Sequence, residues 1–216
     1  MSEKIKITSE KIKDIFIKIA DVLIENKNYL TELDAAIGDA DHGINMARGF
    51  TKVKEKIEPN GFKNNSDLVK TVAMTLISTV GGASGPLYGT AFLNISKVIP
   101  DSDFDIDSLI NIGETVIEGI QRLGKAQQGE KTMLDTIIPV VNSLRESKGK
   151  GLSLERALEE CKKAAEEGMK ATIPLQATKG RASYLGERSK GHQDPGATSS
   201  YLIIKVIVDE LISEME

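Results

Sequence analysis

Apolar residues recur at spacings of three and four along almost the whole chain, which confines it to helices packed together by one face. Ile12, Ile15, Phe16, Ile19 and Leu23 make the first stripe, with Thr8 or Ser9 placed to cap it, and Leu30, Leu33 and Ile37 continue a short second helix. A third runs from about Gly43 to Ile57 and stops before Pro59-Asn60-Gly61, and Ser66 caps a fourth through Val80. The turn Gly81-Gly82-Ala83-Ser84-Gly85-Pro86 separates that helix from a fifth, about Leu87 to Val98. Asp105 or Asp107 opens a sixth through Leu123, Thr132 and Ser153 cap the next two, and the last runs from about Ala197 to Ser213. Its YLIIKVIVDELI stretch is rich in β-branched residues that would also suit a buried strand. A length of about 16 residues favours a buried helix over a strand of about 4 to 8. The 216 residues, 40% of them hydrophobic, supply a sizeable core, so residues 1–216 read as one all-α domain of eight or so helices.

Glycine and polar residues interrupt the helices at 38–45, 81–86, 124–131 and 176–196. In an up-and-down helical array, alternate connections gather at one end, so these four segments are expected to line one mouth. The first carries the strongest chemistry. Asp34, Asp39 and Asp41 fall within eight residues and run straight into His42-Gly43-Ile44-Asn45. Carboxylate oxygens are hard ligands suited to Mg²⁺, which shares them with substrate phosphates. On one continuous helix Asp34 and Asp41 would share a face about 10 Å apart while Asp39 lay off it, so convergence requires a bend at Ile37-Gly38. A new helix then starts near Gly43, and its unpaired N–H groups and positive dipole end make a seat for phosphate. Acidic residues there also serve as caps or ordinary solvated turns, and the surrounding context favours the metal site.

The other segments carry weaker signals. Gly81-Gly82-Ala83-Ser84-Gly85 has the composition of an anion-cradling loop, and equally of a helix end followed by a proline-started helix. Gly124 to Thr132 looks like a Walker A loop but fails it, because Glu130 is inserted before Lys131 and the preceding IEGIQRL is helical where a strand is needed. An aspartyl-phosphate enzyme built on Asp39-Ala40-Asp41 would need a parallel strand that LDAAIG does not supply. His42 reads as a hydrogen-bonding neighbour of a carboxylate or phosphate in preference to a metal ligand or phosphohistidine, and His192 as a loop residue. Segment 176–196 is long for a structureless connection and reads as a lid, in which Arg181 would offset charge on a transferring phosphoryl group. Cys161 keeps step with Leu154, Leu158 and Ala165 and reads as a small core residue.

Composition excludes several classes. The net charge is −4 with scattered basic residues, which gives nucleic-acid binding no electrostatic support. The start MSEKIKITSEKIK lacks a signal peptide's apolar core, no 18-residue apolar run follows, and one cysteine fits a reducing cytoplasm, so no membrane attachment is expected. An acidic chain can still bind nucleotide. A nucleoside diphosphate at about −3 and three aspartates at −3 leave only about −2 after two Mg²⁺.

LDAAIGDADHGINMARGF, GGASGPLYGTAF, GEKTMLDTIIP and TKGRASYLGERSKGHQDPGATSS, together and in order, resemble the ADP-binding L subunits of dihydroxyacetone kinases coupled to the bacterial phosphoenolpyruvate phosphotransferase system. The resemblance covers essentially the whole chain. It implies an eight-helix antiparallel up-and-down barrel with a nucleotide site at one end. It also implies that Asp34, Asp39 and Asp41 hold two Mg²⁺ bridging to ADP, and that His42, Gly43, Ile44, Asn45, Ala83 and Ser84 contact its phosphates. Gly124, Met133, Arg181, Asp194, Pro195 and Gly196 would enclose the rest of the nucleotide. By the same resemblance, ADP is a held cofactor that a phosphohistidine subunit recharges to ATP, whose γ-phosphoryl passes to dihydroxyacetone on a partner subunit. The chain ends at residue 216 without a substrate domain, so the sugar is expected on that separate subunit rather than on a fused one. The rival expectation is a nucleotide-sensing module that reports to a transcription factor.

Overall fold

The computed structural model describes residues 3–215. Within them the chain forms nine α-helices: α1 (Ser9–Glu25), α2 (Lys27–Ile37), α3 (His42–Ile57), α4 (Asn65–Thr79), α5 (Ser84–Ile95), α6 (Ile106–Gly124), α7 (Leu134–Gly149), α8 (Leu154–Ala171) and α9 (Pro195–Ser213). A 3₁₀ segment spans Arg181–Ser189, and β1 (Ile5–Lys6) pairs antiparallel with β2 (Asp103–Phe104). The all-α class read from periodicity is the one observed.

The stripes become the core. Ile12, Ile15, Phe16, Ile19 and Leu23 are buried on α1, which Thr8 caps by accepting from the Lys11 N–H. The β-branched C-terminal stretch is helical. α9 buries Ile203, Val206, Val208 and Leu211 and packs on α1, α7 and α8. Neighbour contacts run α1, α3, α4, α5, α6, α7, α8, α9 and return from α9 to α1, the cyclic order that an eight-helix ring requires. α2 lies outside this cycle, packed on α3, α9 and the 3₁₀ segment.

Helix starts differ from the sequence reading where a better cap lies nearby. Asn64 caps α4 through the Asp67 N–H, and the Ser66 hydroxyl instead donates to the Ser96 carbonyl. α5 begins at Ser84 and takes Pro86 into its first turn, where the missing proline N–H leaves no helical bond unmade. α9 begins at Pro195, two residues before the expected start near Ala197, and Asp194 caps it.

Segment 176–196 also differs from a connection without apolar anchoring. Ile37, Ala177 and Ala182 are buried together with Leu185 against them, which docks the 3₁₀ segment on the end of α2. Three scattered apolar residues give no periodic signal, so this small cluster escapes a search for stripes.

Candidate functional site

The chain bends where convergence of the three aspartates requires it. α2 ends at Ile37, Ala40 takes the left-handed conformation at φ 60°, and α3 opens at His42. One carboxylate oxygen from each of Asp34, Asp39 and Asp41 then lies within 4.8 Å of the others, close enough to share metal coordination. Asp34 is buried, and its Oδ2 accepts from the N–H groups of Asp41, at 2.8 Å, and His42, at 3.1 Å. A Cβ at Gly38 would lie 2.1 Å from Asp34 Oδ1, so a glycine there lets the carboxylate fold over the bend. Asp39 is exposed and pairs with Arg181, whose Nε is 3.0 Å from its Oδ2.

These carboxylates edge a cavity of about 280 Å³, near the lower end of the roughly 300–1,000 Å³ of small-molecule sites. Of the residues singled out in the sequence, Asp34, Asp39, Asp41, His42, Ala83, Ser84, Gly124, Met133, Arg181, Asp194, Pro195 and Gly196 all line it. Gly43, Ile44 and Asn45 do not. A Cβ at Gly43 would sit 2.1 Å from the Lys27 carbonyl, so this glycine lets α3 pass against the start of α2. Ile44 is exposed, and Asn45 Oδ1 accepts from Arg48. At the start of α3, expected as a phosphate seat, Asp34 already binds two N–H groups. The start of α5 fits that role better: it has no side-chain cap, and Gly81, Gly82, Ala83 and Ser84 line the cavity.

His42 joins three elements. Its Nδ1 lies 3.1 Å from the Ser84 hydroxyl on α5 and its Nε2 lies 2.8 Å from the Ser199 hydroxyl on α9. Burial lowers its pKa against the opposing pull of Asp34 and Asp41. The ring therefore serves as a neutral bridge that orients Ser84. On the facing wall, burial pushes the Asp194 carboxyl up to about 7, opposed by the Ala197 N–H and by Lys131.

Tyr88, Lys131 and Lys179 also line the cavity, although none of them was singled out as a site residue in the sequence. Tyr88 packs as an ordinary stripe member of α5, yet its hydroxyl meets Ser199 at 2.7 Å and Ser200 at 3.0 Å. Lys179 stands 3.7 Å from Glu130, and Thr178 donates to the same carboxylate at 2.9 Å, which ties segment 176–196 to the loop before α7. No helix among the described residues is long and apolar enough to cross a membrane.

Comparison with known proteins matches this arrangement to one family. The DAK2 domain matches residues 36–209. The chain is 48% identical to the PEP-dependent dihydroxyacetone kinase 1, ADP-binding subunit DhaL, of Listeria innocua, across 87% of this chain and 89% of that one. It is likewise 48% identical to the corresponding subunit of Escherichia coli, across 83% and 86%. The dihydroxyacetone kinase of C. freundii shares the fold with a TM-score of 0.70 at 22% identity, covering 92% of this chain and 34% of that longer one. A second structure of that kinase, in complex with AMP-PNP and Mg²⁺, gives a TM-score of 0.68. The chain belongs to the DAK2-domain family, alongside the ADP-binding subunits of phosphoenolpyruvate-dependent dihydroxyacetone kinases.

Proposed function

We propose that this chain carries the nucleotide of a phosphoenolpyruvate-dependent dihydroxyacetone kinase, taking a phosphoryl group from a phosphohistidine donor subunit and passing it to dihydroxyacetone on a partner subunit. The observation that carries this reading is the convergence of three aspartates within 4.8 Å at the edge of a cavity lined by the uncapped start of α5. In the first half-reaction the donor's N–P bond breaks and an O–P bond forms on the β-phosphate of ADP. In the second the bond from that oxygen to the γ-phosphorus breaks, a hydroxyl oxygen of dihydroxyacetone takes the phosphoryl group, and the hydroxyl proton is released.

The donor set suits hard divalent cations, and Asp34, Asp39 and Asp41 would hold two Mg²⁺. Bound there, Mg²⁺ would supply charge neutralisation at the phosphates. The chain's own groups do the positioning. The first N–H groups of α5 would face the phosphate chain, neutral His42 holds the Ser84 hydroxyl in place, and Gly43 lets α3 start close against α2 beside the aspartates. Arg181, already at the carboxylate cluster, offers a guanidinium to the transferring group. Gly124, Met133, Asp194, Pro195 and Gly196 enclose the remaining nucleotide. Phosphoryl transfer asks little more of a protein than this placement and charge balance.

Acid-quenching the purified protein and testing the supernatant for nucleotide checks the reading directly. Stoichiometric ADP is expected, and the absence of any adenine nucleotide, with no Mg-ADP binding afterwards, would contradict it. Transfer of label to dihydroxyacetone with the partner subunits present separates turnover from a purely sensing role.

The 3₁₀ segment should respond to the ligand. Its apolar anchors hold one side, while exposed Arg181, and Lys179 just before the segment, line the cavity. Mg-ADP is expected to slow tryptic cutting at Arg181, Arg188 and Lys190 several-fold. Equal cutting rates with and without Mg-ADP would show that this segment does not close on the nucleotide.

A further inference from the structure

Lys131 belongs to the segment that resembles a Walker A loop, yet its amine does not act as a P-loop lysine would. It is 1% exposed and sits on a left-handed backbone at φ 61°. Its Nζ donates to the Thr172 carbonyl at 2.6 Å and to the His192 carbonyl, with the Ile173 carbonyl at 3.5 Å. Three carbonyl oxygens from two separate connections thus converge on one ammonium group, much as they would on a bound cation.

We propose that Lys131 is a positioning residue of the nucleotide site, an internal cation that clamps the end of α8 to the start of α9 and so sets the wall formed by Met133 and Asp194 to Gly196.

The neighbouring bonds show how the clamp transmits its position. Asp135 accepts from the Gly129 N–H and, at 2.7 Å, from the Thr132 N–H, which folds the loop that presents Lys131. The Thr172 hydroxyl, beside the clamped carbonyl, accepts from the Asp194 N–H at 3.1 Å, and Gly191 donates to the Ile173 carbonyl at 2.8 Å. Asp194 in turn caps α9, from which Ser199 reaches His42. Removing the ammonium group would take the charged donor from the Thr172 and His192 carbonyls, leave the buried Thr172 carbonyl to the Leu175 N–H alone at 3.2 Å, and free the two connections to separate. The buried charge has its own counterweights: burial lowers the Lys131 pKa while Asp194 and Asp135 oppose the shift. Glu130, one residue earlier, points the other way and accepts from Gln127 and Thr178, so the same loop also holds segment 176–196.

The inference rests on the cavity being a nucleotide site, and the test keeps the two apart. Wild type, Lys131→Ala and Lys131→Met are stripped of nucleotide with a chelator, and Mg-ADP binding is measured by calorimetry. Failure of the wild type to bind would defeat the nucleotide reading itself. With wild-type binding established, Lys131→Ala is expected to bind about 10- to 100-fold more weakly, the range typical of lost supporting contacts around a site. Ethylammonium, which fits the vacated space and restores a donor to the carbonyls, should recover most of that affinity, while tetraethylammonium at equal ionic strength should not. Lys131→Met keeps the stem and leaves no space for an added amine, so it should show the loss without the rescue. If Lys131→Ala does not fold, Lys131→Met decides alone. Wild-type affinity in either variant, or a loss in Lys131→Ala that both ammonium ions leave unchanged, would overturn the proposal.

Discussion

Asp39→Asn is expected to reduce phosphoryl transfer to dihydroxyacetone at least about 100-fold and to release the nucleotide during purification, because a neutral amide neither completes a divalent site nor offsets its charge. The three aspartates are not equivalent as tests. Asp34 holds the backbone of Asp41 and His42, so its loss would disturb the bend as well as the ligand set. Asp39 is exposed and, among the described residues, pairs with the Arg181 side chain, a pair of the kind worth roughly 1 kcal/mol or less. The variant should therefore melt close to wild type while losing function. Full transfer with nucleotide retained would remove Asp39 from the metal site.

Phe50→Ala is expected to cost about 3–5 kcal/mol, measured by denaturant unfolding, because the ring is completely buried and its removal leaves a cavity in the packed interior. The position also bears on the site. Phe50 on α3 meets Phe92 on α5 edge-on, with centroids 6.5 Å apart, and Phe92 meets Phe16 on α1 at 5.3 Å. This aromatic row fixes α3 against α5, the two helices whose first residues bring His42 to Ser84. Nucleotide affinity should fall along with stability. A loss below about 1 kcal/mol would mean that the site tolerates collapse far better than a tightly packed core does.

The sequence declared the helices because each buries a stripe, and stripes survive in a one-dimensional pattern. α1 was legible to within one residue of its cap, Thr8 of the pair Thr8 and Ser9, and the bend after Ile37 followed from the spacing that convergence of the aspartates demands. Exact helix starts were less legible, since neighbouring cap formers such as Asn64 and Ser66 compete and the winner depends on what each can reach in three dimensions. At the site, residues with charge or glycine declared themselves and residues that act through their partners did not. Tyr88 reads as a core aromatic until Ser199 and Ser200 are beside it, and Lys131 reads as a failed phosphate-binding lysine until the carbonyls just after α8 and just before α9 converge on it. Gly43 was expected at the phosphates, while its place in the structure is explained by the approach of Lys27. In each case the deciding contact spans a long stretch of chain, which no local spacing encodes.

The claim that the phosphoryl group travels on the nucleotide, and not on the polypeptide, has a direct test. Both ring nitrogens of His42 are engaged by hydroxyls, at 3.1 Å from Ser84 and 2.8 Å from Ser199, so neither is free to attack a donor. The purified chain is incubated with a radiolabelled phosphoryl donor and the donor subunits, then denatured under conditions that preserve phosphohistidine. Label recovered as ATP, at about one equivalent per chain, is the predicted result. Label that stays on the polypeptide and disappears in His42→Gln would contradict the account and replace it with a protein-bound phosphoryl relay.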